Sequence, residues 1–408
     1  MRGRSDDQAN LFHVFNVEDR IRPDHPLRDV KRRADGLLAG LGPRFAAAYS
    51  ATGRPSVPPE RLLKALLLMA LYSVRSERQL CERIDTDLLF RWFLDLEPGD
   101  DAFDPTTFTH NRVRLAEHGL TEAFFDAVVG EALTRGLCSE HFSARGTLIE
   151  SYASAKSFQP TAAPKTDDDE RESGGASPSS SSKTPSSNAS SSKSSARSNR
   201  FKPRDVEVDF HGQKRTNATH QSQTDPEARL YRKSPGQEAK LAHLGHALGE
   251  NRHGLVLAVT VTEANGTAER TAALEMLDDL ERRRGRRPTT LGSDKGYDAG
   301  AYYRAIEERG VEPHGAMVER SLRSVEESRP NDRADAEARH RMKARQAGLG
   351  YSLSQRCRKK LEEAFGWLKK IAGLGRSRVV GRWKIQQALE LGAAAYNLVR
   401  LRKLAPMT

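Results

Sequence analysis

Asp294 has the sequence surroundings of a carboxylate that could bind a metal ion. It follows the short apolar segment 289–292, which we predict to be a strand, and Gly292 and Gly296 leave room for another group to approach the backbone. Cutting a phosphodiester bond at neutral pH calls for two divalent cations held about 4 Å apart by carboxylates. Mg²⁺ keeps several of its waters, so two or three carboxylates from separate elements are enough. An aspartate in an ordinary turn is the alternative for Asp294 taken alone.

Glu362 is the second candidate, because the residues one and two turns away on its predicted helix are basic. Helical spacing places Arg358 and Lys369 on the same face as Glu362. A carboxylate in this setting can hold a metal ion while the two cations contact DNA phosphates. Glu363 points about 100° away and is the weaker candidate. A solvated helix with ion pairs four residues apart is the alternative.

The charge of the chain indicates nucleic acid as a partner. Its 408 residues include 66 Lys and Arg against 55 Asp and Glu, a net charge of +11 at pH 7. Each cation set against a phosphate releases condensed counterions, so this excess favours binding of DNA or RNA. A basic surface that serves only solubility is the alternative.

Several other classes of protein do not fit the composition. The three cysteines are far apart in the sequence and indicate neither a disulfide framework nor a zinc site. The longest apolar run, 62–72, contains a lysine and is too short to span a bilayer. A Gly-rich phosphate loop is missing, so we expect no nucleotide to be used. We therefore expect a cytoplasmic protein without a membrane span.

Residues 1–137 are predicted to form a helical domain that binds DNA. Pro59 begins a helix with an apolar stripe, and Asp104 caps a basic helix that carries Arg112 and Arg114. Several short helices with exposed arginines are what a helix-turn-helix needs to lay one helix in the major groove, although any small helical bundle has a similar pattern. We predict Arg112 and Arg114 as DNA contacts.

The remainder, residues 138–408, alternates between strands and helices. We predict a strand at 142–150, a hairpin of 242–248 and 254–262, a helix from Thr267 to Arg284, a strand at 289–292, a helix capped by Asp298 and ended by Gly310, a strand at 311–318, and helices from about Ser354. This order predicts an α/β fold with a mixed sheet flanked by helices.

The Ser-rich segment at about 161–205 interrupts this pattern. It has too few apolar residues to offset the entropy of ordering, so we predict that it is disordered. Deletion of residues 165–200 is expected to leave the melting temperature and the DNA affinity almost unchanged. Thermal denaturation of the deletion variant checks this, and a clear fall in melting temperature would show that the segment contains an ordered element.

Short segments with distinctive residue patterns occur at intervals along the chain. They lie at 146–150, 153–158, 224–233, 245–248, 250–252, 266–270, 294–298, 354–358, 362–367 and 395–400. In these segments, and over nearly its whole length apart from the Ser-rich part, the chain resembles the insertion-sequence-five family of DDE transposases.

The resemblance implies a ribonuclease-H-like catalytic domain, an N-terminal domain that binds DNA ends, and cutting and joining of DNA with two Mg²⁺ ions. It assigns the second acidic metal ligand to Asp294 and the third to Glu362. Arg358 and Lys369 complete the family pattern of Arg, three residues, Glu, six residues, Lys. Gln355 replaces the tyrosine that often precedes that pattern. Double-stranded DNA, as element ends and as target, is the implied partner, bound by a homodimer.

The first metal ligand is where the sequence departs from the family. Related sequences carry an aspartate immediately before the glycine that corresponds to Gly146, and this chain has Arg145. A guanidinium stays charged and cannot ligate Mg²⁺, and it would repel two dications by several kcal/mol in a partly dry site. Strand alternation puts Arg145 and Ile149 on one face and Glu150 on the other, so Glu150 could substitute only after a slip in register.

Two functions of different classes follow. The first is a DDE transposase that binds element ends, cleaves the strand with metal-activated water and joins the new 3′-hydroxyl to target DNA. The second is a non-catalytic DNA-binding protein derived from a transposase. Arg145 is the residue that distinguishes the two functions, because loss of the first metal ligand predicts an inactive chain. An engineered or misread residue at position 145 is a third explanation. Either protein would be associated with the bacterial nucleoid.

Overall fold

The computed structural model describes residues 16–406, apart from 51, 53–55, 162–207, 211–212, 234–235, 320–321 and 323. The Ser-rich segment that we predict to be disordered lies, from residue 162 onward, outside the described residues.

The N-terminal part of the described chain is helical, as predicted. Its helices are α1 (Val17–Arg20), α2 (Pro26–Ala39), α3 (Gly42–Ala48), α4 (Pro59–Leu71), α5 (Glu77–Thr86), α6 (Leu88–Phe93), α7 (Pro105–Glu117) and α8 (Leu120–Thr134). Local signals in the sequence begin these helices. Ser76 accepts a hydrogen bond from the N–H of Gln79, and Asp104 accepts one from Thr106, so both act as the predicted N-caps.

Strands and helices follow. They are β1 (His141–Glu150), β2 (Phe158–Pro160), β3 (Val208–Phe210), β4 (Gln213–Arg215), β5 (His220–Ser222), β6 (Arg229–Tyr231), β7 (Lys240–Glu250), β8 (Val256–Glu263), α9 (Ala268–Arg284), β9 (Thr290–Ser293), α10 (Gly300–Glu308), β10 (Glu312–Gly315), α11 (Arg333–Arg345), α12 (Leu349–Cys357), α13 (Lys359–Lys370) and α14 (Arg382–Leu404).

The main sheet is mixed, as predicted. β7 pairs antiparallel with β1 on one side and with β8 and β6 on the other, which confirms the predicted hairpin. β1 then pairs parallel with β9, and β9 pairs parallel with β10. Helices flank this sheet, so the chain has the ribonuclease-H-like arrangement with an N-terminal helical part and a helical C-terminus. The short pairs β2–β5 and β3–β4 were not predicted.

Two details of the prediction are wrong. Asp298 does not cap α10, whose N-cap is Ala299; it is buried instead and accepts hydrogen bonds from Arg339 and from the N–H of Val318. The helical C-terminus begins earlier than predicted, because α11 and the first turn of α12 precede Ser354.

Helix α14 joins the two predicted domains through one hydrophobic core. It packs against α2, α4 and α8 of the helical part and against β8 of the sheet. Leu389, Leu398 and Leu401 of this helix are at most 1% exposed. The boundary predicted at residue 137 falls between α8 and β1, but both sides bury apolar surface against the same helix. In the part of the chain that the structure describes, no helix is both long and apolar enough to cross a membrane.

Candidate catalytic site

Asp294 lies immediately after β9, at the carboxyl end of that strand. It caps a short 3₁₀ turn, where its Oδ1 accepts a hydrogen bond of 2.8 Å from the N–H of Gly296. In the parallel pairing, Gly292 of β9 is opposite Ser143 of β1. Asp294 and Arg145 each come two residues later, so the register brings them to the same edge of the sheet. This is the position at which a first and a second ligand would meet.

Arg145 binds Glu362 directly. Its Nη1 donates a hydrogen bond of 2.6 Å to Oε1 of Glu362, and the two side chains are 22% and 41% exposed. Arg358 donates to the same oxygen at 3.2 Å. One carboxylate oxygen is therefore shared by two guanidinium groups, and the predicted neighbourhood of Arg358 and Glu362 is present.

The faces of β1 alternate as the sequence suggests. A Cβ atom on Gly146 would meet Glu269 of α9, whereas Ile149 lies toward Leu389 of α14. Arg145 faces α13 through Glu362. Glu150 is the last residue of the strand, and its carboxylate accepts a hydrogen bond of 3.0 Å from Lys240. This carboxylate is therefore bound to Lys240 and does not face Glu362.

A cavity of about 390 Å³ opens beside Asp294. Its charged lining residues are Lys233, Glu269, Asp294, Lys295 and Arg358. Three cations and two carboxylates make this a site suited to a phosphate group between basic side chains. Glu362 and Arg145 border Arg358, and neither is among the residues that line the cavity itself.

Glu269 was not predicted as a site residue. It lies in the first turn of α9, and its Oε1 would be 2.6 Å from a Cβ atom on Gly146, so only glycine at 146 lets this carboxylate reach β1. The segment 266–270 carries the family resemblance, and this is the signal that could have identified Glu269.

Gln355 positions Arg358 through hydrogen bonds that could not be predicted from its place in the sequence. Its Nε2 donates to the carbonyl oxygens of Ser293 and His314, at the ends of β9 and β10. Its Oε1 accepts a hydrogen bond of 3.3 Å from Nε of Arg358. Gln355 thus ties Arg358 to the strand that presents Asp294.

Lys369 lies apart from the cavity and lines a second, basic groove. Its pKa is lowered, first by burial and then by the charges of Lys233 and Arg145. Arg145 and Lys369 are therefore close enough to interact electrostatically, although they belong to different depressions of the surface. Glu363 faces away as predicted, 3.9 Å from Arg400.

The two arginines predicted on α7 differ in their surroundings. Arg112 is only 8% exposed and donates to Glu77 Oε1 at 2.7 Å, so the expectation that it is exposed is wrong. Its burial follows from the packing of α7 against α5 and α14. Arg114 is partly exposed and lies 4.6 Å from the centre of the Tyr49 ring.

The two histidines of β7 are structural, as predicted. His243 Nε2 is 2.9 Å from Asp225 Oδ2, and His246 Nε2 is 2.8 Å from Thr262 Oγ1. Burial lowers the pKa of His246 to about 4. Among the described residues, no three His, Cys, Asp or Glu side chains are grouped so that they could hold a metal ion.

Comparison with known proteins gives two matching family models. One is "Transposase domain (DUF772)" over residues 15–114, and the other is "Transposase DDE domain" over residues 216–398. The second range contains Asp294, Glu362 and most of the main sheet. No curated protein matches the chain.

Two solved structures are similar at low identity. The Mos1 transposase paired-end complex with the left transposon end is 11% identical, with 80% of this chain and 82% of that chain covered and a TM-score of 0.19. The crystal structure of a pre-cleavage Mos1 transpososome is 13% identical, with 81% and 83% covered and a TM-score of 0.19. On the two transposase domain models, which together span most of the described residues, this chain belongs to the DDE transposases.

Proposed function

We propose that this chain is a transposase that binds insertion-sequence ends but does not cut them, because Arg145 occupies the place of the first metal ligand. The observation that supports this is the hydrogen bond of 2.6 Å between Arg145 and Glu362. It places a permanent positive charge on the carboxylate that the family resemblance assigns to metal binding.

The donor set does not fit a pair of Mg²⁺ ions. Transposase DDE domains use divalent metal ions. A pair of such ions needs carboxylates that come from separate elements and lie on both sides of the ions. Asp294 and Glu362 come from separate elements, but Glu362 is bonded to Arg145 and Arg358. Glu269 reaches the cavity from the α9 side of β1, opposite to the side on which Arg145 lies. Asp294 and Glu269 together carry two negative charges, which beside a guanidinium cannot neutralise two dications.

The remaining features suit DNA binding. Lys233, Lys295 and Arg358 surround the cavity, and the whole chain carries a net charge of +11. Arg358 is held by Gln355, so its guanidinium has a fixed direction for a phosphate. Arg358, Lys369 and Arg114 are the proposed phosphate contacts, whereas Arg112 supports α7 through Glu77. A homodimer that holds two ends, associated with the nucleoid, is part of this proposal.

DNA affinity should be independent of the metal ligands and strongly dependent on salt. Because phosphate contacts dominate, the logarithm of the association constant should fall linearly with the logarithm of the salt concentration, by about 0.9 for each phosphate contacted. Asp294→Ala should change affinity less than about twofold. Fluorescence anisotropy with the full chain measures this, using a duplex that carries the terminal repeats flanking its own coding sequence.

A scrambled duplex of equal length is the matched control. Specific complexes are roughly 10³-fold or more tighter than non-specific ones, so a clear preference for the repeats is expected. Equal affinity for both duplexes would contradict end recognition.

A further inference from the structure

A second surface depression, separate from the cavity at Asp294, carries an unusual concentration of positive charge. It has a volume of about 800 Å³ and lies where the turn before α5, the end of β1 and the connection from α13 to α14 meet. We call it the basic groove and define it by Arg75, Tyr152, Lys369, Lys370, Arg376 and Arg378. It shares no lining residue with the cavity at Asp294.

Within the described residues, the cations of the basic groove have no acidic partner. No aspartate or glutamate is among the described residues that line the groove. In the described part of the chain, no ion pair involves Arg75, Lys370 or Arg376, and Arg378 donates only to a backbone carbonyl, that of Val74. Burial, together with the nearby charge of Arg75, lowers the pKa of Arg378. Five like charges held this close favour a ligand with several negative charges.

The floor of the groove is held in place by the sheet. The N–H of Glu150 donates to the carbonyl of Gly375 at 3.2 Å, and the N–H of Ser377 donates to the carbonyl of Glu150 at 2.7 Å. These two bonds pair the last residue of β1, Glu150, in parallel with the segment that carries Arg376. Arg376 is therefore fixed against the end of a strand, while Lys369 and Lys370 belong to helix α13, so these three cations of the groove are carried by ordered backbone.

Tyr152 distinguishes this groove from a plain phosphate track. It comes two residues after β1, and it is 58% exposed among the cations. An exposed aromatic ring beside a basic track is the arrangement with which proteins bind single strands, because phosphates follow the cations while a base stacks on the ring. In a duplex the faces of each base are covered by its neighbours, so a base can stack on Tyr152 only when it is unpaired.

The basic groove lies near the candidate catalytic site. Lys369 lines the groove, and its pKa is lowered by burial and then by the charges of Lys233 and Arg145, so Arg145 is close to this end of the groove. Along β1, Arg145 and Glu150 are separated by five residues, or roughly 17 Å at the rise of a strand. A strand lying in the groove would thus reach the site within a few nucleotides.

From these contacts we infer that the basic groove binds a single-stranded segment of DNA, with Tyr152 stacking on an unpaired base next to the candidate catalytic site. The inference rests on the proposed function, since it names the form of DNA that this part of the protein holds. Duplex DNA and acidic protein segments carry the same negative charge but offer no free base face.

The test measures binding of a short labelled oligothymidylate, and of the element-end duplex, to the full chain by fluorescence anisotropy. Tyr152→Ala should weaken binding of the single strand by roughly 5- to 150-fold, the range for loss of one stacked base. Tyr152→Phe keeps the ring and should stay within about twofold of the native chain. Trp383→Ala, which removes a partly exposed ring outside the groove, is the matched control.

The charges are tested in parallel. The double variant Lys370→Gln, Arg376→Gln should reduce the salt dependence of single-strand binding by about 1.4 in the log–log slope, at ~0.7 for each contact. Lys343→Gln, an exposed lysine of α11, should leave the slope unchanged. Circular dichroism of each variant verifies that the fold is retained.

Three outcomes would overturn the inference. The first is single-strand affinity that is unaffected by Tyr152→Ala, and the second is an equal loss for duplex and single strand. The third is displacement of the oligonucleotide by polyglutamate at equal charge concentration, which would indicate a general polyanion surface. If any of these outcomes is seen while the native chain still binds the element-end duplex, only the inference about the groove fails and the proposed function is unaffected. If the native chain binds neither form of DNA, the proposed function itself is contradicted.

Discussion

Arg145→Asp is expected to raise metal-dependent nicking of an element end by about three orders of magnitude, with little change in DNA affinity. The substitution removes the guanidinium that lies 2.6 Å from Glu362 and places a carboxylate on the same strand face. One unit charge about 4 Å from another costs about 4 kcal/mol at the effective dielectric of a partly exposed site. An attraction of the same size is gained when the new carboxylate faces a metal ion, and since about 1.4 kcal/mol corresponds to a factor of ten, this attraction corresponds to the expected gain once the repulsion is removed.

The assay is strand cleavage of a labelled element end in Mg²⁺ and in Mn²⁺. The matched control is Arg145→Asn, which has nearly the shape of aspartate and also removes the guanidinium but supplies no carboxylate; it should give little cleavage. Adding Asp294→Ala or Glu362→Ala to Arg145→Asp should abolish the gain, because a metal site works as a unit. The residue at 145 is then established as a ligand position and not only as a source of repulsion.

Either of two results would contradict this account. Strong cleavage by the unaltered chain would mean that another group supplies the first ligand, and Glu269 would be the first residue to substitute. Failure of Arg145→Asp to cleave DNA that it still binds would mean that the site is defective elsewhere, or that β1 is placed differently in the DNA complex.

Gly300→Ala is expected to destabilise the chain by about 3 kcal/mol, the upper part of the range for overpacking a close contact. Gly300 begins α10, and a Cβ atom there would lie 2.6 Å from the carbonyl carbon of Asp335 and closer still to its oxygen. The obstacle is backbone of α11, which cannot rotate away as a side chain could. Displacement of α11 would also disturb Arg339, which binds the buried Asp298.

Gly366→Ala is the matched control, since it makes the same chemical change in a helix with open space around it. Nothing lies within 4 Å of a Cβ atom on Gly366, so alanine should stabilise α13 by about 0.5–1 kcal/mol through its higher helix propensity. Urea denaturation followed by circular dichroism measures both variants. A Gly300→Ala chain as stable as the native one would show that α10 and α11 do not pack this closely in solution.

Local signals in the sequence were enough to place many of the secondary-structure elements. Ser76 and Asp104 cap their helices through hydrogen bonds to residues two or three positions away, and Gly285 ends α9 with a positive φ. The alternation of β1 likewise needed only the geometry of a strand, and it correctly placed Arg145 and Glu150 on opposite faces. Such features depend on neighbours in the sequence, so the sequence alone determines them.

The candidate site depended on contacts that no local pattern contains. Arg145 and Glu362 are 217 residues apart, and their hydrogen bond exists because β1 and α13 pack together. Arg112, which we expected to be exposed, donates to a carboxylate of α5, and Asp298, which we expected to cap α10, accepts from an arginine of α11. Burial of a charge requires a partner from a distant element, and only the tertiary structure decides which element that is. The sequence by itself determined which acids and bases are available, while the packing of α13 and α14 on the sheet decided which of them meet.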